Sequence, residues 1–254
     1  MSLKIPVLMG LLLSFNAANA MDGVFDRSAE IDQYIAQLNS KTTQDELVPT
    51  ARAIHISGIS DERLAKAIAD RLLHDLPKLD TQFGAWMVRA LASTGDPIAK
   101  DALVQVRNQT RLSRIKTECK EQIGEVDWFR RRNEVMASRR NYSEGDNMRV
   151  AQLLNLLQSD DLSFKQNATY RMNWDKTLDA RLMTEIALQL QSFIDNGGVI
   201  HSEEELLVIS DYAKMLGYSH DQQYGDLLRR LTVSSSNLKL KRAAGKALDN
   251  LHGA

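Results

Sequence analysis

Asp160-Asp161-Leu162-Ser163-Phe164-Lys165-Gln166-Asn167-Ala168-Thr169-Tyr170-Arg171-Met172 and Ser236-Asn237-Leu238-Lys239-Leu240-Lys241-Arg242-Ala243-Ala244-Gly245-Lys246-Ala247-Leu248 are two versions of one pattern. Laid over each other without a gap, they match in apolar character at 162/238, 164/240, 168/244 and 172/248, an offset of 76 residues. Steps of four residues place side chains one above another on one face of an α-helix. An offset of twice 38 is the length of two helical hairpins, so the pattern predicts a repeat protein rather than a globule. A third copy is Ile115-Lys116, Cys119 and Ile123; weaker ones are Phe83, Met87, Leu91 and Val208, Tyr212, Leu216.

Working outward, glycine supplies the expected punctuation, because a helix commonly ends on a left-handed residue that costs glycine nothing. Gly58, Gly95, Gly124, Gly217 and Gly253 are each expected to follow such a helix. First helices are then predicted near 28–39, 61–75, 97–107, 147–158, 178–194 and 221–231. Their partners fall near 45–57, 81–94, 113–123, 163–174, 203–216 and 238–251. The segment 127–141 is left over and reads as an inserted basic helix lengthening the third connection.

The apolar-basic pair followed by Ala and an apolar residue at the next two four-residue steps resembles the HEAT family of armadillo-like helical repeats. It is carried by Ile115-Lys116...Cys119...Ile123, Phe164-Lys165...Ala168...Met172 and Leu240-Lys241...Ala244...Leu248. Gly84 and Ile209 depart from it where the basic residue belongs. The resemblance implies an all-α fold, a right-handed α-solenoid of about six hairpins, whose second helices line a concave groove. One domain is expected over 21–254, with an N-terminal cap about 22–57 that is more polar on its outer side, as Asp22, Asp26, Glu30, Asp32 and Asp45 suggest.

The address lies upstream. Lys4, the apolar run Ile5 to Phe15 and Ala18-Asn19-Ala20 have the layout of a secretory signal peptide cleaved after Ala20. The expected location is the periplasm, or outside the cell. The single cysteine among 254 residues excludes an intramolecular disulfide. A net charge of -1, from 32 Lys plus Arg against 33 Asp plus Glu, excludes a generally basic nucleic-acid binder.

Patterns for chemistry are sparse. His55, His74, His201, His220 and His252 show no metal-ligand spacing, and no phosphate loop or nucleophile elbow occurs. Cys119 aligns with Ala168 and Ala244 and reads as a buried spacer. Ser202-Glu203-Glu204-Glu205 reads as a helix start with Ser202 and Glu205 as a capping box, or alternatively as a divalent-cation site. No metal and no cofactor is expected.

Charge is more informative. Trp128-Phe129-Arg130-Arg131-Arg132 and Arg139-Arg140 form a basic cluster, an anion-binding patch or a helix whose arginines snorkel over packed apolar residues. On four second helices ten Lys and Arg stand against Glu118, Glu121 and Asp249, so a basic groove is expected. Partner-binding candidates are Arg130, Arg131, Arg132, Arg139, Arg140, Lys116, Lys120, Lys165, Arg171, Lys241 and Arg242. The expected role is that of a non-catalytic scaffold or adaptor for a polypeptide partner, acidic or extended, with no nucleic acid involved. Two alternatives stay open: an enzyme using the groove as a substrate cleft, and an envelope-associated protein docking on anionic surfaces through 127–141.

Overall fold

A computed structural model describes residues 23–252. The expected signal peptide and Gly253 lie outside the described residues. Within them the chain forms twelve α-helices: α1 Ser28–Leu38, α2 Gln44–Ser57, α3 Glu62–Asp75, α4 Thr81–Ser93, α5 Ile98–Gln109, α6 Ser113–Ala137, α7 Met148–Leu157, α8 Leu162–Asp175, α9 Ala180–Asp195, α10 Glu203–Tyr218, α11 Gly225–Ser234 and α12 Leu238–His252. Short polar residues start many of them. Thr43, Asp61, Asp80, Asn147, Asp161, Asp179 and Ser202 each accept a first-turn amide N–H that the helix itself leaves unpaired. At Thr43 the capping box closes through Glu46. Ser202 accepts the Glu205 amide as expected, but the Glu205 carboxylate accepts from the His201 N–H, one residue earlier than a box requires.

The helices pair in sequence and stack into an α-solenoid. Second helices touch as α2 on α4, α4 on α6, α8 on α10 and α10 on α12, while first helices touch as α1 on α3, α3 on α5, α7 on α9 and α9 on α11. The repeated triads supply the glue: Phe83, Met87, Leu91, Ile115, Cys119, Phe164, Ala168, Met172, Val208, Tyr212, Leu216, Leu240 and Ala244 are all buried. Each large side chain so buried contributes about 1.5–3 kcal/mol. Gly84 breaks the repeat pattern for a packing reason: a Cβ there would stand 2.9 Å from Leu79 and 3.0 Å from Ile115.

Two expectations are corrected. Residues 127–141 do not form a separate inserted helix, because α6 runs unbroken from Ser113 to Ala137, about 37 Å at 1.5 Å per residue. Ile115, Cys119, Val126, Phe129, Asn133 and Met136 continue one buried stripe through Gly124, which lies mid-helix with open space where a Cβ would point. Gly217 likewise lies inside α10; it is needed because a Cβ would come within 2.8 Å of the Ala247 backbone on α12. Gly58 and Gly95 do end helices, at φ +73° and +67°.

The core is not one uniform stack. Between the third and fourth hairpins neither α5 with α7 nor α6 with α8 is in extended contact, and α6 packs on α7 instead. Two apolar cores result, one reaching Phe129 and the other starting at Met136, with Trp128 packed against both. The chain ahead of α1 crosses to this junction: the Phe25 N–H donates to the Ala137 carbonyl and the Arg139 N–H to the Gly23 carbonyl. Splaying α6 from α8 opens a cavity on the second-helix face. Among the described residues no helix is long and apolar enough to cross a membrane.

Candidate functional site

The cavity, about 460 Å³, is lined by α2, α4, α6 and α8 alone. Each helix contributes one face: Arg52, His55 and Ile56; Trp86 and Arg89; Glu118, Glu121, Gln122, Phe129 and Arg132; and Asn167, Tyr170, Arg171, Trp174 and Asp175. Steps of three and four residues bring these side chains to one side of each helix. Trp128 joins them at the seam between the two cores, its indole N–H donating to Ser163 Oγ at 2.7 Å.

One wall is aromatic and cationic. Trp86 carries the Arg52 guanidinium 4.7 Å from its ring centroid and Arg89 at 5.1 Å. Arg89 is neutralised by Glu118, a two-pronged pair at 2.7 and 2.9 Å. His55 meets Trp86 and Phe129 edge-on. Burial, followed by the charges of Arg132 and Arg171, pushes its pKa down to about 3, so the ring is neutral across the physiological range. On the opposite wall Tyr170 and Trp174 stack on each other and stay exposed.

Arg132 and Arg171 sit at the base, 1% and 3% exposed. Arg132 donates to Asn133 Oδ1 and the Ser93 carbonyl, and its guanidinium lies 4.6 Å from the Phe129 ring centroid. Asn133 in turn donates to the Ile59, Ser93 and Thr94 carbonyls. This pair therefore ties the C-terminal end of α4, where a helix dipole favours positive charge, to the middle of the molecule. Burial pushes the Arg132 pKa down to about 9. Arg171 has one polar contact, 3.4 Å to Met136 Sδ, and burial likewise holds it well below the usual arginine range. Neither has a carboxylate in salt-bridge range among the described residues; Asp175, which lies near Arg171, is held by Arg149 at 2.6 Å. Both guanidiniums still carry their charge near neutral pH.

Two further groups in the same cavity lack partners. Gln122 Oε1 and Asn167 Oδ1 are buried with no hydrogen bond. A buried polar atom left unpaired costs about 1–3 kcal/mol, which a donor entering the cavity would relieve.

Of the eleven basic residues expected from the sequence to contact a partner, only Arg132 and Arg171 meet in this cavity. The basic cluster is divided rather than presented as a patch. Arg130 pairs with Asp127 and donates to the Gly95 carbonyl, in a contact so close that a Cβ on Gly95 would stand 2.5 Å from the Arg130 backbone. Arg131 is exposed, 3.8 Å from Asp161; Arg139 lies over Tyr142, and Arg140 is exposed. Lys116 and Lys120 are exposed on α6 without lining the cavity. Lys165 turns toward α9 and donates to Gln189 Oε1 at 2.7 Å. Lys241 and Arg242 lie on α12, away from the cavity. Arg89, counted from the sequence among the ten basic residues of the second helices, does line the cavity, whereas Arg52, Trp86, Gln122, Asn167, Tyr170 and Trp174 are members that reading for cationic clusters missed. The spacing 167, 170, 171, 174 on one helix was the signal available for four of the lining residues.

The groove continues past this cavity. A neighbouring one between α6, α8 and α10 shares Trp128, Asn167 and Tyr170 and adds Glu125, Asp211 and Lys214. Four arginines face three carboxylates in the first cavity, whereas one lysine faces two carboxylates in the second. The groove is thus positive at one end and negative at the other, not uniformly basic. Cys119 is fully buried, its thiol pushed up to about 12 by burial. Among the described residues no three His, Cys, Asp or Glu side chains come together as a metal-holding group.

No family model and no curated protein matches the chain. A solved structure to which it is similar is human deoxyhypusine hydroxylase in complex with glycerol, at 12% identity over 88% of this chain and 85% of that one, with a TM-score of 0.35. That protein is an enzyme, and the expectation that this chain is non-catalytic is withdrawn on that finding. A likeness so distant assigns no activity and no site.

Proposed function

We propose that this chain is an exported HEAT-like repeat protein that binds a polypeptide along its second-helix groove, seating a carboxylate of the partner on Arg132 and Arg171. The observation that carries the reading is the pair of buried guanidiniums that no carboxylate of the described residues neutralises. A buried charge without a counterion costs several kcal/mol, and a ligand carboxylate removes that cost while gaining charge-assisted hydrogen bonds. Exposed Tyr170 and Trp174 beside arginines are the residue types that dominate binding energy at interfaces.

The reading is tested with a randomised library of acetylated pentapeptides, made both as free acids and as C-terminal amides and passed over the immobilised chain and over its Arg171→Met variant. Peptides retained by the unaltered chain are expected to carry a carboxylate and to be lost on the variant. Retention of carboxylate-free peptides, or equal retention by both proteins, refutes it. Export is tested separately, by sequencing the N-terminus of the protein recovered outside the cytoplasm, where Met21 is expected first.

A further inference from the structure

We infer that the carboxylate seated on Arg132 and Arg171 is the C-terminus of the bound peptide, with the upstream residues running over Tyr170 toward α10; this rests on the reading above. Three features of the groove specify it.

Charge comes first. The cavity lining carries four arginines against three carboxylates, and Arg89 is already spent on Glu118. Asp175 is likewise spent on Arg149, which leaves Arg52, Arg132 and Arg171 against Glu121 and makes this end of the groove a seat for an anionic group. Hydrogen bonding comes second. Gln122 Oε1 and Asn167 Oδ1 are orphaned acceptors in the cavity that holds the guanidiniums. They call for N–H donors on a ligand that occupies this cavity. A peptide C-terminus supplies both within one residue: a carboxylate, and the backbone N–H on the same α-carbon. A glutamate or aspartate side chain puts one or two methylenes between its carboxylate and its own backbone, so it fits this arrangement less closely.

Continuity is the third feature. A free amino acid would need only the first cavity, but the two cavities share Trp128, Asn167 and Tyr170 and form one path. Further along that path Glu125 and Asp211 outnumber Lys214. A chain anchored by its negative terminus therefore meets a negative surface a few residues upstream, which favours lysine or arginine there. The groove's reversal of charge sets the peptide's direction.

The test compares one pentapeptide library made twice, as free acids and as C-terminal amides, on the unaltered chain, with calorimetry on the peptides retained. The free acid of a retained sequence is expected to bind at least about thirty-fold more tightly than its amide, the scale for removing one partner of a buried charge pair. Retained acids are expected to be enriched in lysine or arginine upstream, and their affinity to fall when the N–H of the last residue is methylated. Gln122→Leu and Asn167→Leu should remove part of the penalty for methylation. Acid and amide binding equally, through an internal Glu or Asp, overturns the terminal assignment and leaves the side-chain carboxylate reading standing. A free amino acid binding as tightly as the pentapeptide overturns the path toward α10. Binding by neither library overturns this inference and the proposed function together.

Discussion

Replacing Arg171 by Met should make the protein more stable and at the same time abolish binding. Arg171 is 3% exposed, its one polar contact is a thioether sulfur, and the nearby Arg132 and Arg149 are like-charged. The neighbouring carboxylate, Asp175, is held by Arg149 at 2.6 Å. Desolvation of such a charge costs several kcal/mol, partly offset by Asp175 at longer range and by water reaching the cavity. Methionine keeps the length of the stem, removes the charge and adds apolar contact at about 25 cal/mol per Å². The net expectation is a gain of about 1–3 kcal/mol. At about 2–4 °C per kcal/mol for a chain of this size, the melting temperature should rise by about 2–12 °C. Urea titration at pH 7, followed by far-UV circular dichroism, reads it as a raised midpoint with an unchanged slope. Arg132→Met is the internal contrast. That guanidinium satisfies Asn133 Oδ1, so its loss leaves a buried acceptor unpaired and should cost about 1–3 kcal/mol. If Arg171→Met destabilises by 1 kcal/mol or more, Arg171 is a structural residue and the binding argument built on its unpaired charge is wrong.

Other substitutions separate local from tertiary effects. Gly124→Ala should stabilise by about 0.5–1 kcal/mol, because α6 is continuous there and the Cβ meets nothing, whereas Gly217→Ala should cost about 1–3 kcal/mol by pressing on the Ala247 backbone; paired urea titrations check both. For His55 the folded pKa, about 3, is depressed below the unfolded value near 6.5, so the unfolded state binds the extra proton first. Its neutral form therefore contributes full stability above about pH 6.5, and this is lost as pH falls toward 3. The loss is about 2 kcal/mol at pH 5 relative to pH 8. Denaturation across that range should show it, and His55→Gln should flatten the dependence. Cys119, buried with its thiol pushed up to about 12, should resist iodoacetamide at pH 8 until the chain is unfolded, as mass spectrometry of the alkylated protein would record. Fast labelling of the native chain would contradict its placement in the core.

The helix starts were legible because caps and i, i+4, i+8 triads are properties of a helix's own geometry, and the six expected hairpins correspond to α1 through α12, with α6 running on past its expected end. Gly124 and Gly217 misled for a related reason. Glycine ends a helix only where φ turns positive, and whether it does depends on the packing around it. At Gly95 the close approach of Arg130 accompanies a positive φ; at Gly217 the neighbouring Ala247 backbone explains the glycine within an uninterrupted helix.

By itself the sequence determined that the chain is helical and repetitive, which residues face inward, and where each hairpin begins. It could not say which arginines lose their water. Arg130, Arg131 and Arg132 are adjacent in the chain, yet one is tied to Gly95, one is exposed and one is buried beside Phe129, because successive residues on a helix point about 100° apart. Arg171 joins Arg132 only because α6 runs on past Gly124 and stands away from α8. The cavity draws on four helices spread from Arg52 to Asp175, and the charge state and pairing of its side chains follow from desolvation, a property of the assembled fold.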